Sequence, residues 1–168
     1  PGPLTLVLPL RESTSLSTHV TAGLKTAAFR MPKHPIALNL LKEVDLPLVG
    51  PSANPSSEVS PSSAEHVLKR FPKLPVLAGG ETDIGIESTI LDLSDEKPTL
   101  LRLGAVTQEM IETVLGCSCL KTFHSTKPKA PGMLQRHYAP KVSLRLNALT
   151  PLKNEQFLGF GPVSADFN

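Results

Sequence analysis

Leu46-Pro47-Leu48-Val49-Gly50-Pro51-Ser52-Ala53-Asn54 is the stretch on which the reading of the fold turns. A short apolar run ends in a turn of small residues, which reads as a strand followed by a loop. Such a turn carries hydroxyl and amide side chains with little bulk over the backbone, so its N–H groups can come close to a ligand. Gly85-Ile86-Glu87-Ser88-Thr89-Ile90 has the same character about thirty-five residues later. Two such turns in one small domain point to a polar small-molecule site.

Outward from these turns, strands and helices alternate. Thr5 to Leu8 reads as a buried strand after the turn Pro1-Gly2-Pro3. Residues 11–25 hold few large apolar groups and read as a loop or irregular hairpin. Thr26 to Met31 is a second strand, stopped by Pro32. Pro35 opens a helix whose Ile36, Ala37, Leu40, Leu41 and Val44 share one face. Ser60-Pro61 reads as the start of another, with Ser62 and Glu65 as a competing capping box and Ala64, Val67, Leu68 and Phe71 as the buried face. Ser88 to Leu93 and Thr99 to Leu103 are strands joined by a polar turn. Thr107 to Leu115 is an amphipathic helix ending at Gly116, with Met110, Ile111, Val114 and Leu115 inward. Val142 to Leu146 alternates like a strand, and Phe157 to Phe160 reads as a further one. The mixture predicts an α/β domain over residues 1–120, a linker over 121–141, and the beginning of a second small α/β domain over 142–168.

Composition narrows the function. The chain has 168 residues, 40% hydrophobic and 19% charged, enough for one domain with a real core. A net charge of +2 and the scarcity of aromatics, six Phe and one Tyr without Trp, argue against a nucleic-acid platform. Cys117 and Cys119 are too close to pair readily, and the five histidines show no zinc spacing, so no protein-bound metal is expected. No apolar run reaches about 20 residues, so no membrane span and a cytoplasmic location are expected. The 17 prolines sit mostly at element ends. The first residue is Pro rather than Met, from which a missing natural start is expected.

Six segments occur in a telling order: Pro1-Gly2-Pro3-Leu4-Thr5, Arg30-Met31-Pro32-x-His34-Pro35, Pro51-Ser52-Ala53-Asn54, Ser60-Pro61, Gly85-Ile86-Glu87-Ser88-Thr89 and Leu101-Arg102-Leu103-Gly104. Together they resemble the YrdC-like threonylcarbamoyl-AMP synthase family. Pro131-Gly132-Met133 with Arg136-His137-Tyr138-Ala139-Pro140 resembles the linker of its two-domain members. The likeness covers roughly residues 1–140. It implies a twisted open α/β sheet with a concave cavity. It also implies a reaction: L-threonine, bicarbonate and ATP, with Mg2+ accompanying the ATP, give threonylcarbamoyl-AMP and pyrophosphate. The product passes to a tRNA threonylcarbamoyl transferase that modifies tRNA. No nucleophilic side chain is needed, so no catalytic residue is assigned; positioning and charge neutralisation carry the step.

The resemblance also assigns roles. Arg30, Gly50 and Ser88 fall on the threonine, with Arg30 suited to clamp its carboxylate through two hydrogen bonds. Thr26, Ser52, Asn54, Ser60, Arg102 and Tyr138 fall on the ATP. Ser52 and Asn54 can equally satisfy their own turn, and Ser60 can cap a helix. Glu87 suits either a general base or a structural carboxylate. Arg102, alternating with leucines, suits a phosphate in a cavity or a solvent-facing position. Tyr138 suits a cover over the nucleotide or an interface aromatic. Family members carry a Lys-x-Arg motif upstream of the Pro-Gly-Pro turn, and this chain begins after it. The expectation is a fragment, or a truncated protein with weak or no synthase activity. The rival reading is an RNA-binding or regulatory module that keeps the concave fold without synthesis, with weak RNA binding in a basic cavity. A carbamoyl-transfer domain of hydrogenase maturation is a third, disfavoured by the Arg-His-Tyr-Ala-Pro linker.

Overall fold

The computed structural model describes residues 1–55, 58–123, 142–159 and 161–166. β1 (Leu4–Pro9) and β2 (Thr26–Phe29) form an antiparallel hairpin, closed at its base by Leu10 N donating to Lys25 O at 2.9 Å. The connection holds a one-turn helix, α1 (Thr18–Thr21), inside the segment read as an irregular hairpin. α2 (Pro35–Val44) follows with Pro at its start, as its sequence predicts. α3 is Ala64–Arg70, β3 Thr89–Asp92, β4 Thr99–Arg102, α4 Gln108–Leu115 and β5 Leu120–Lys121.

The strands make one mixed sheet in the order β2-β1-β3-β4-β5. β1 runs parallel to β3 and β4 parallel to β5, while β1–β2 and β3–β4 are antiparallel. β1 alternates half-buried and buried residues, so it divides the core in two. On one face Val7, Ile90 and Leu101 pack together. On the other, Leu91 and Leu100 pack against Ile111 of α4 and Cys119, with Leu4, Leu6 and Val106 around them. Glu112 of α4 accepts from Cys119 N and from Gln108 Nε2, each at 2.7 Å. These bonds, the backbone one first, hold its carboxyl below the usual range and tie the start of β5 to the helix. Burial pushes the Cys119 thiol up.

Five expectations are corrected. Leu46 to Val49 is not a strand: Pro47 has no N–H to give a ladder, and Leu46, Leu48 and Val49 are exposed. The third helix begins at Ala64, not at Ser60-Pro61, and its cap is Ser63, whose hydroxyl accepts from His66 N. The Ser60 hydroxyl donates to Glu87 instead. Ser62 turns to His66 Nδ1 at 3.3 Å in place of a capping box with Glu65. In α4 only Ile111 is buried; Met110 and Val114 face outward. Val142, Leu144 and Leu146 alternate without forming a strand and are exposed. Among the described residues no helix is long and apolar enough to cross a membrane.

Candidate functional site

One irregularity in β4 builds the site. Asp92 pairs with Thr99 and Leu91 with Leu100, but Ile90 pairs with Arg102, so Leu101 is an extra residue opposite none. A bulge of this kind breaks the strict alternation of faces. It sets Arg102 on the face of its partner Ile90, with Thr5, Val7 and Ser88, instead of on the α4 face with Leu100. Strict alternation of Leu101-Arg102-Leu103 would have placed the arginine and Leu101 on opposite faces.

A polar cluster forms there. The Thr5 and Ser88 hydroxyls lie 2.7 Å apart, both buried. Arg102 Nε donates to Ser88 O at 2.8 Å and Nη2 to Ser88 Oγ at 3.0 Å. Nη2 also lies 3.6 Å from Glu87 Oε2. Ser60 Oγ donates to Glu87 Oε1 at 2.5 Å and lies 3.4 Å from Asn54 Oδ1. Asn54 Nδ2 donates to Pro55 O and Glu58 O at 2.9 and 3.0 Å. The loop that holds Asn54 reaches this point through Ala53 in the left-handed region, at φ 53°. Residues from both small-residue turns therefore meet at one end of the sheet.

Gly104 lets the backbones approach. A Cβ there would come to 2.5 Å from Glu87 O and closer still to Thr89 N. Thr89 Oγ1 donates to Val106 O at 2.7 Å and holds the two segments together.

Arg30 sits at the same end of the sheet, just past β2, and is exposed. Its Nε donates to Gly2 O at 3.1 Å, while Pro3 O accepts from Thr89 N at 2.9 Å. Two consecutive residues thus link Arg30 to the strand that follows Ser88. Arg30 lines a cavity of about 700 Å³ with Gly2, Pro3, Phe29, Leu41 and Leu48; Ser60, Ser88 and Arg102 are not on its walls. The hydrogen-bonded cluster, not this largely apolar cavity, carries the polar chemistry.

Of the residues singled out in the sequence, Asn54, Ser60, Ser88 and Arg102 come together, and Arg30 lies at the rim. Gly50 and Ser52 are exposed in the approach to Asn54. Thr26 pairs with Pro9 at the far end of β2, about 13 Å along the strand from Arg30. Tyr138 lies outside the described residues, as does most of the linker. Thr5 and Gly104 were not singled out. A threonine between leucines in an apolar strand was the signal for the first, because a buried hydroxyl needs a partner.

The chain as a whole has known counterparts. The Sua5–YciO–YrdC family model, described as "Telomere recombination", matches residues 1–104. A second, described as "Threonylcarbamoyl-AMP synthase, C-terminal domain", matches residues 106–159. The chain belongs to the Sua5–YciO–YrdC family. A threonylcarbamoyl-AMP synthase of Bacillus subtilis is 46% identical over 151 residues, which are 87% of this chain and 43% of that protein. One of Pyrococcus abyssi is 46% identical over 150 residues, 86% of this chain and 44% of that protein. The crystal structure of Pyrococcus abyssi Sua5 complexed with L-threonine superposes with a TM-score of 0.76 at 46% identity, covering 83% of this chain and 42% of the other. The fold is therefore the twisted open sheet of that family, and the chain spans less than half the length of these relatives.

Proposed function

We propose that this protein takes part in the synthesis of threonylcarbamoyl-AMP from L-threonine, bicarbonate and ATP, with release of pyrophosphate, for modification of tRNA in the cytoplasm. The observation that carries this reading is the network Thr5–Ser88–Arg102–Glu87–Ser60, with Asn54 Oδ1 3.4 Å from the Ser60 hydroxyl. It joins the two small-residue turns of the family motifs at one end of the sheet. The names of the relatives and the L-threonine complex of the Pyrococcus protein support the substrate class.

In this reading Arg30 clamps the threonine carboxylate, with Gly50 and Ser88 beside it. Bicarbonate loses hydroxide, which leaves as water once protonated, to give carbon dioxide; the neutral threonine amine adds to its carbon and loses a proton to become a carbamate. A carbamate oxygen then attacks the α-phosphorus of ATP, and pyrophosphate leaves with the electrons of the broken P–O bond. Ser52, Asn54, Ser60 and Arg102 hold the nucleotide, Thr26 is the far contact of an extended ligand, and Tyr138 covers it. Magnesium arrives with ATP, held by phosphate oxygens. Residues 1–120 form the synthase domain, 121–141 the linker and 142–168 the start of a second domain. The product is consumed by a tRNA threonylcarbamoyl transferase.

Pyrophosphate release with ATP, bicarbonate and threonine is the test. Release that persists without threonine sinks the proposal. Arg30→Ala is expected to raise the KM for threonine about tenfold or more and that for ATP less than about twofold. Equal losses for both substrates would count against the clamp.

A further inference from the structure

Three side chains between the loop and β3, Asn54, Ser60 and Glu87, form one wall of the polar cluster and determine which ligand groups it can read. Asn54 Nδ2 donates to Pro55 O and Glu58 O. A primary amide has two N–H hydrogens, and both are committed. The flipped amide would set Oδ1 against two carbonyl oxygens, so the network itself fixes the orientation. Ser60 has a single hydroxyl hydrogen, and the charge-assisted bond to Glu87 Oε1 at 2.5 Å takes it. The 3.4 Å between Ser60 Oγ and Asn54 Oδ1 is then a gap between two acceptors. Glu87 faces Arg102 with its other oxygen at 3.6 Å, so its charge is countered. The wall is acceptor-rich and close to neutral.

We propose that Glu87 is a positioning residue that sets the hydrogen-bond polarity of this wall. By taking the Ser60 hydrogen it leaves Ser60 and Asn54 as paired acceptors, selective for a neutral hydrogen-bond donor of a nucleoside. This rests on the nucleotide reading given above. A phosphate oxygen offers only lone pairs and meets only lone pairs here, so the anion falls to the Arg102 side. Two groups of adenosine share the required chemistry, the ribose hydroxyls and the exocyclic amine.

The experiment titrates the purified protein separately with adenosine and with pyrophosphate, followed by calorimetry. Glu87→Gln replaces one carboxylate oxygen with a donor and removes the charge. Adenosine affinity is expected to fall about fivefold to tenfold, with pyrophosphate unchanged within about twofold or tighter. Equal losses for both ligands, or a loss confined to pyrophosphate, overturn the inference, because a structural role alone gives no such split. Ser60→Ala keeps the carboxylate and is expected to give the same split, which covers the case of a poorly folding Glu87→Gln. With the wild-type protein, weaker binding of 2′,3′-dideoxyadenosine assigns the ribose, and weaker binding of inosine assigns the amine. Equal binding of all three nucleosides, or no saturable adenosine binding, overturns it. Threonine-dependent pyrophosphate release is read in parallel. If it persists while Glu87→Gln keeps the wild-type ligand preference, the inference falls and the synthesis reading stands.

Discussion

Two arginine–glutamate pairs in this molecule have opposite geometries. Arg145 grips Glu155 with two parallel bonds, Nε to Oε1 at 3.0 Å and Nη2 to Oε2 at 2.5 Å. The same arginine donates to Thr150 O at 2.9 Å, and Glu155 accepts from Leu152 N at 2.7 Å. The pair is exposed and closes its own loop. Arg102 and Glu87 are looser, 3.6 Å apart, but the arginine side chain is only 13% exposed and two of its nitrogens are committed to Ser88. The tighter ion pair is therefore a local clasp, and the looser one joins separate parts of the fold. Contact distance alone would put the exposed pair first; burial and the partners around each charge predict the opposite order.

That contrast can be broken most forcefully at Gly104. Gly104→Ala forces a methyl group onto the backbone of Glu87 and Thr89 and is expected to cost about 3 kcal/mol of stability in urea denaturation. A loss below about 1 kcal/mol would mean that this end of the sheet yields, and that the looser pair has no firm base. A middle-sized effect is expected from Arg102→Met, which leaves the carbonyl and hydroxyl of Ser88 without these donors, at about 2 kcal/mol. Arg145→Met is expected to shift the midpoint of the same transition far less, because the pair is exposed; equal shifts would erase the difference between the pairs.

The smallest effect is titration of Glu155. The hydrogen bond from Arg145, then that from Leu152 N, holds its carboxyl down at about 2, against about 4.3 in an unfolded chain. The folded clasp is thus favoured above the unfolded value, and this contribution is lost as pH falls through the range from about 4.3 to about 2. Carboxyl carbon shifts from NMR read it directly. A Glu155 carboxyl that titrates near 4 would show that the clasp is open in solution.

Local signals made most of the fold legible. The apolar run in Thr5 to Leu8 after a Pro-Gly-Pro turn, Pro35 at a helix start, and Thr107 with Gly116 around an amphipathic helix all act within a few residues, and their elements appear where expected. The errors arise where a distant partner decides. The apolar run Leu46 to Val49 carries no information on whether a neighbouring strand exists to receive it. Ser60 has the chemistry of a cap, but a carboxylate 27 residues away holds its hydroxyl, and Ser63 caps instead. In the candidate site, the residue types at Asn54, Ser60, Ser88 and Arg102 were readable. The hydrogen-bond direction at Asn54 and the bridging position of Glu87 were not, because both follow from which groups the folded chain brings within 3 Å.

The extra residue at Leu101 makes the length of β4 a variable of its own. Removing Leu101 would restore strict alternation with Arg102 still on the Ile90 face, whereas flattening the bulge at unchanged length would exchange the two faces beyond Leu100 in a single step. A guanidinium would then press against the apolar layer of Ile111, and a hydrocarbon side chain would stand opposite Ser88. Substitution in this strand acts on one side chain at a time, whereas a loss of the bulge rewires the site without altering any amino acid. Tolerance to sequence drift and tolerance to a change of register are separate properties at this position, and only the first is expected to be appreciable.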